Sequence, residues 1–350
     1  MENPFTLTFG VLPEQFISRE GIADRIVADF SAGRNNDHIY IFTGVRGAGK
    51  TVMLNYLKRE FEKLDDWIVI NVNPELDILE GIASKLYEKG VARKSFLKKA
   101  FSFSFHGISF SIEGDVPVKN VETLLEKMLV FVKEHGQKVL VTIDEISNSK
   151  NIKVFSHTFK NLVIDGYPIY LLATGLNENV NNLQNENTLT FIYRAPKIEI
   201  KGLNLYAISR SYQTTLGLSE TAANRCAALT EGYASAYQIL GSILYRSGKK
   251  DIDDEVLSEF DQILEEINYG KMWSDLSRGD RQFLYGFSGQ KANRAQSIIE
   301  HSSIGAKSYS KYRERLLKRG IVTSDAYGYL SLTLPRLFFF IQRMKTFEQL

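Results

Sequence analysis

The sequence predicts an α/β fold, a parallel sheet with helices on both faces, followed by an all-α region and a winged helix-turn-helix. Three observations predict it. A glycine-rich loop, Gly44 to Thr51, stands between a β-rich run and a helical pattern. Two further apolar runs, 139–145 and 168–175, end in polar residues, as buried strands of a parallel sheet do. Beyond residue 203 the pattern turns to short helices, and beyond residue 271 the charge changes sign.

At 350 residues the chain exceeds a usual single core, so more than one domain is expected, with boundaries near 1–203, 204–271 and 272–350. Its 44% hydrophobic and 24% charged content is that of a water-soluble globular protein. The densest apolar run, Leu337-Phe338-Phe339-Phe340-Ile341, is bracketed by Arg336 and Arg343, far short of a membrane span. No basic start with an apolar core marks a signal peptide, and the single Cys226 excludes a disulfide framework and a cysteine-rich zinc site. A cytoplasmic protein with no membrane partner is expected. Residues from 271 onward carry 14 Lys+Arg against 6 Asp+Glu, whereas the first 270 carry 29 against 35. A basic tail on an acidic body reads as a polyanion-binding module added to something else.

The first element, His38-Ile39-Tyr40-Ile41-Phe42-Thr43, leads into Gly44-Val45-Arg46-Gly47-Ala48-Gly49-Lys50-Thr51, and Val52 opens a helical pattern. Strand, glycine loop and helix in that order aim successive backbone N–H groups and a positive helix end at one spot, which suits a polyphosphate. The spacing G-x-x-x-x-G-K-[ST] assigns Lys50 to the β/γ-phosphates and Thr51 to Mg²⁺. Arg46 reads as a local phosphate or packing contact.

The next strand, Val139-Leu140-Val141-Thr142-Ile143, ends in Asp144-Glu145, the form of a Walker B segment. At the carboxyl end of a parallel strand, Asp144 is placed to hold Mg²⁺ and Glu145 to polarise the attacking water. A second carboxylate beside the metal ligand supplies a general base, which favours a P-loop NTPase over a small-molecule kinase. Pro168 to Gly175 is another buried strand; Thr174 at its end would orient the water, with Asn177 as competitor, or is a plain strand-end turn residue. Arg194 precedes the alternating strand Lys197-Ile198-Glu199-Ile200. It either reaches the γ-phosphate of a neighbouring subunit, which implies a homo-oligomer, or forms a surface salt bridge.

Taken together these residues resemble the AAA+ ATPases, in the branch of the origin-recognition and cell-division-control initiators and the related STAND signalling ATPases. The resemblance extends over nearly the whole chain. It implies that Phe16-Ile17-Ser18-Arg19-Glu20 is the entry motif that packs against adenine, and so makes Ile17, Arg19 and the loop residues Gly44 to Val52 an ATP site rather than a GTP site. It also implies that helical patterns over 206–268 form an all-α lid.

Two departures stand out. An insertion at about 95–116 carries Phe101 to Ile112, whose strict alternation around His106-Gly107 predicts a two-stranded hairpin with an aromatic face, packed on its own ATPase domain or on a protein partner. Where AAA+ lids often carry an arginine after a glycine, this chain reads Gly232-Tyr233-Ala234-Ser235. Arg246 lies about two turns further on, facing solvent, so the lid is expected to sense nucleotide by packing, with slow hydrolysis.

In the last region, 278–287, 294–300 and 309–319 read as three short helices and 320–334 as a wing hairpin, with Gly320 as C-cap and Pro335 starting a final helix. Lys311, Arg315 and Lys318 fall on one face of the third helix, with Lys307 and Ser308 at its start, so duplex DNA is the expected polyanion. Two functions follow: an ATPase that couples nucleotide state to DNA binding, or a nucleotide-latched interaction protein whose winged helix binds protein.

Overall fold

The computed structural model describes residues 3–8, 10–32, 37–91, 102–105, 108–111, 121–184, 192 and 194–348. The first part runs α1 (Glu20–Ser31), β1 (Ile39–Thr43), α2 (Lys50–Glu62), β2 (Trp67–Val72), α3 (Ile78–Glu88), β3 (Ser102–Phe105), β4 (Ile108–Ser111), α4 (Val121–Glu134), β5 (Lys138–Ile143), α5 (Lys150–Ile164), β6 (Ile169–Gly175), α6 (Asn177–Gln184) and β7 (Lys197–Glu199). Five of these strands form one parallel sheet in the order β2-β5-β6-β1-β7.

Period-two alternation sorts the strand side chains onto two faces. Ile39, Ile41, Val139, Val141, Leu171 and Ala173 point into one core, closed by Ile82, Leu86, Leu125, Leu129, Phe155 and Phe159 from α3, α4 and α5. Tyr40, Phe42, Val69, Leu140 and Leu172 point into the other, closed by Ile26 and Phe30 of α1 and by Leu57 and Phe61 of α2. Because both faces are covered, the central strands β1, β5 and β6 are apolar over most of their length. The register sets Thr43 opposite Gly175 and Ile143 opposite Ala173, so the segments after β1 and β5 and the end of β6 leave the sheet at one edge.

The predicted hairpin is present as β3 and β4, antiparallel, with Phe103 opposite Phe110 and Phe105 opposite Ile108. Its His106-Gly107 turn and its flanks, 92–101 and 112–120, lie outside the described residues, as does the question of which surface it packs on.

Helices α7 (Leu205–Leu216), α8 (Glu220–Thr230), α9 (Ala234–Ser247) and α10 (Asp254–Leu264) make up the all-α region expected as a lid, and are called the lid below. Asn204, Ser219 and Asp253 cap three of them with side-chain oxygens on backbone N–H groups. A π-helical turn, Glu265–Tyr269, and α11 (Gly270–Ser274) lead to α12 (Arg278–Leu284), β8 (Asn293–Arg294), α13 (Ala295–His301), α14 (Ala306–Arg319), β9 (Val322–Thr323), β10 (Tyr329–Leu332) and α15 (Leu337–Glu348). The three short strands make an antiparallel sheet in the order β8-β10-β9. α14 ends at Gly320 in the left-handed region, as expected of its C-cap.

Two features differ from expectation. The last helix begins at Leu337 rather than Pro335, because Arg336 adopts a left-handed φ of 62° and sends its guanidinium to both carboxylate oxygens of Asp261, at 2.7 and 2.6 Å. Apolar burial also runs unbroken across residue 271: Leu264, Tyr269, Trp273, Leu276 and Phe283 belong to one core with the lid.

The N-terminal segment straps the lid to the sheet. Phe5 is buried against the Tyr212 and Tyr237 rings, at 5.9 and 5.6 Å between centroids, and lies where Gly241 leaves no side chain. Thr6 N–H donates to Gln238 Oε1 at 3.0 Å, Gln238 Nε2 to the Gln15 carbonyl at 2.9 Å, and Asn55 Nδ2 to the Gly10 carbonyl at 2.6 Å. Among the described residues no helix is long and apolar enough to cross a membrane.

Candidate nucleotide-binding site

The loop after β1 turns at Gly44, and Gly49, with φ of 93°, caps α2, whose first residues are Lys50 and Thr51. The helix thus starts two residues before Val52, which brings the lysine and threonine onto its N-terminal turn, where unpaired N–H groups favour phosphate. Lys50 is 8% exposed and its Nζ donates to the carbonyls of Gly44 at 3.0 Å and Val45 at 2.8 Å. Burial pushes its pKa down to about 8, opposed by Glu145 and Asp144 and reinforced by Arg46.

The lowered lysine has a consequence for binding. Protonated Lys50 attracts phosphate, and as pH rises through about 8 the free protein loses that proton. Nucleotide affinity is expected to weaken by several-fold to about tenfold between pH 7.5 and 9, where an unburied lysine would stay charged to ~10.4. Titration of a fluorescent nucleotide across that range checks it; an affinity constant to pH 9.5 contradicts it.

Across the sheet edge Asp144 receives Thr51 Oγ1 at 2.9 Å and also the Thr174 hydroxyl. Thr174 in turn accepts the Glu145 N–H at 2.9 Å. That bond fixes Glu145 at φ of 58°, a left-handed conformation uncommon for a non-glycine residue, while its side chain lines the cleft. A hydroxyl and a carboxylate side by side, both hard oxygen donors, fit Mg²⁺, which keeps waters and shares its shell with phosphates.

Thr174 is placed differently from expectation. It is fully buried and its hydroxyl is taken up by Asp144 and by the Glu145 N–H, so it holds the carboxylate turn rather than facing the cleft. Its competitor Asn177 instead has its Nδ2 against Gly320 of the C-terminal region. Arg194 is exposed, lies before β7 and does not line the cleft.

The cleft, of ≈ 200 Å³, is bounded by Gly47, Gly49, Lys50, Thr51 and Val52 on one side and on the other by Ala234, Ser235, Tyr237 and Gln238 of the lid with Ile267 and Asn268 of the π-helical turn. Phe16 and Ile17 line it with Leu7, Val11 and Pro13 of the strap, giving an apolar end beside the phosphate loop. Arg19 Nη2 donates to the Ala48 carbonyl at 3.2 Å and the Lys201 carbonyl at 2.9 Å, bracing the loop, and its burial lowers its pKa. Thr6, Leu7, Thr8, Gly10, Val11 and Pro13 of the strap, and Asn268 opposite, line the cleft and were not among the expected site residues. Arg246 pairs with Glu259 and stays outside, as expected.

In the C-terminal region Lys307, Lys311 and Lys318 are exposed and Ser308 is half-buried. Arg315 leaves the expected basic face: its Nε reaches buried Asp280 at 2.7 Å and its Nη2 reaches Ser277 at 2.7 Å. Lys318 pairs with Glu314 at 2.6 Å on its own helix. The C-terminal end of α14 docks on the sheet domain, with Arg319 Nη2 to Glu178 Oε1 at 3.1 Å and Gly320 against Val45 of the phosphate loop.

The loop after β1, the carboxylate pair at the sheet edge and the helices above them make a fold similar to that of Walker-type ATPases. Solved structures share it over nearly their whole length. The Walker-type ATPase PABY2304 of Pyrococcus abyssi matches with a TM-score of 0.65 at 14% identity, over 94% of this chain and 97% of that one. The Aeropyrum pernix ORC2 protein in its ADPNP-ADP complexes matches at 0.58 and 13%, over 98% and 97%, and its ADP form at 0.53 and 12%, over 97% of each. The expected likeness to origin-recognition proteins therefore holds as a likeness of fold. Residues 267–341 match a family model described as a domain of unknown function, DUF8462. No curated protein matches the sequence.

Proposed function

We propose that the protein binds ATP with Mg²⁺ in the cleft between sheet and lid, hydrolyses it slowly, and uses its nucleotide state to govern what the C-terminal region engages. The observation that carries this reading is the convergence of Lys50, the Thr51–Asp144 pair and Glu145 on one cleft. Lys50 neutralises phosphate charge, Thr51 and Asp144 hold the metal, and Glu145 takes a proton from the attacking water. Bound Mg²⁺ would polarise the phosphoryl oxygens. The solved ORC2 complexes with ADPNP and ADP support adenine nucleotide as the ligand.

The test is nucleotide binding and turnover by the intact chain, with Mg²⁺ or with EDTA, and with or without duplex DNA at low salt. Mg²⁺-dependent turnover supports the reading; absence of nucleotide binding rejects it.

Duplex DNA is the proposed partner of the C-terminal region, taken as a winged helix, through Lys307, Ser308, Lys311 and Lys318. Lys307→Ala with Lys311→Ala is expected to lower the slope of log affinity against log salt by about 2, since each phosphate contact releases counterions. An unchanged slope contradicts this assignment. The nucleotide-latched reading is favoured by one observation, the docking of α14 on the sheet domain through Arg319 and Glu178. In that reading nucleotide holds the C-terminal region closed, and turnover is negligible and indifferent to DNA.

A further inference from the structure

The lid carries no arginine at its expected place, yet it grips the phosphate loop directly. Tyr233 Oη donates to the Arg46 carbonyl at 2.6 Å and lies 3.0 Å from Asn268 Oδ1. Asn268 Nδ2 donates to Ser235 Oγ at 2.8 Å, and the Ser235 N–H donates to the Gly47 carbonyl at 3.1 Å. Tyr233 and Asn268 are buried, at 6% and 3% exposure, so these bonds are shielded from water. The loop is shaped to receive them: a Cβ on Gly47 would collide with Tyr233 Oη and stand 2.7 Å from Asn268 Oδ1.

Asn268 sits in the π-helical turn, a rare geometry that recurs at functional positions. The next residue, Tyr269, donates its hydroxyl to the Pro335 carbonyl at 2.5 Å, so one turn touches both the loop clasp and the segment that leads into the last helix.

We infer that Tyr233, Asn268 and Ser235 are positioning residues that hold the Arg46 and Gly47 carbonyls outward, and thereby aim the loop N–H groups at bound phosphate, in place of a charged lid contact. This deepens the nucleotide reading and rests on it. Because the clasp holds the loop backbone and not the γ-phosphate, it serves ATP and ADP alike. Lid closure is then matched to the presence of a β-phosphate rather than to the charge of the terminal one.

The test measures dissociation constants of fluorescent ADP and of a non-hydrolysable ATP analogue for the intact chain, for Tyr233→Phe and for Asn268→Ala. Tyr233→Phe keeps the ring packing and removes one hydroxyl. It is expected to weaken both nucleotides by roughly five- to tenfold and by the same factor, the worth of a shielded hydrogen bond. Asn268→Ala gives a smaller loss in the same direction, again equal for both ligands, and is the second reading should Tyr233→Phe fold poorly. The double variant is expected to lose less than the product of the single effects, since the two act on one clasp; losses that multiply independently overturn the shared clasp. Affinities within twofold of wild type, or a loss confined to the ATP analogue, overturn the clasp. A wild-type chain that binds neither nucleotide overturns the nucleotide reading, and the clasp with it.

Discussion

Glu145→Gln is expected to lower ATP turnover by about 10²–10⁴-fold, the usual worth of a general base, with nucleotide affinity within roughly threefold of wild type. The two quantities separate because of what each part of Glu145 touches. Its backbone N–H is held by Thr174 Oγ1, and its left-handed φ of 58° belongs to the main chain, so the carboxylate turn survives the substitution. Its side chain faces the cleft, and glutamine has the same shape and cannot take a proton. Steady-state phosphate release beside a nucleotide titration checks the split. Turnover unchanged in Glu145→Gln would remove Glu145 as the base; negligible turnover in both proteins would favour the latched reading. Thr174→Val is the informative comparison. It deletes the hydroxyl that links Asp144 to Glu145, so it is expected to disturb metal-dependent binding as well as turnover.

The sheet and the phosphate loop are legible in sequence for a simple reason. Both depend on local pattern: apolar runs such as 139–143 and 169–174 are strands wherever they are covered on both faces, and Gly44 to Thr51 adopts its loop through its own glycines and the helix that follows. What stays hidden depends on contacts between distant segments. Thr174 reads as a cleft residue from its place at a strand end, but its hydroxyl is claimed by the Glu145 N–H and the Asp144 carboxylate across the sheet. Tyr233 stands out in sequence only as part of a stretch where an arginine is wanting; its bond to the Arg46 carbonyl joins residues 187 apart along the chain. Phe5 gives no signal as a strap, since a single aromatic near an N-terminus has no periodicity, and Gly241, which makes room for it, looks like any small helical residue.

Arg315→Ala is expected to destabilise the C-terminal region by about 3 kcal/mol, because it leaves a buried carboxylate without its cation. Asp280 is 1% exposed and accepts Arg315 Nε at 2.7 Å; its other oxygen takes the Ser277 N–H and hydroxyl at 3.0 and 2.7 Å in a capping box at the start of α12. Helical periodicity places Arg315 with Lys311 and Lys318, and that reading sees only its own helix; the partner that removes it from the surface lies 35 residues earlier. The distinction bears on any DNA experiment. Loss of DNA binding in Arg315→Ala would report unfolding of the docked helices, whereas loss in Lys307→Ala with Lys311→Ala would report lost phosphate contacts. Urea denaturation separates them, since the arginine variant is expected to shift the midpoint and the lysine pair to leave it nearly unchanged. Arg315→Met with Asp280→Asn removes both charges at once and is expected to recover much of the lost stability, as paired removal of a buried ion pair does. If Arg315→Ala keeps the wild-type midpoint and loses DNA affinity in proportion to one phosphate contact, the arginine is a surface contact after all and returns to the basic face of α14.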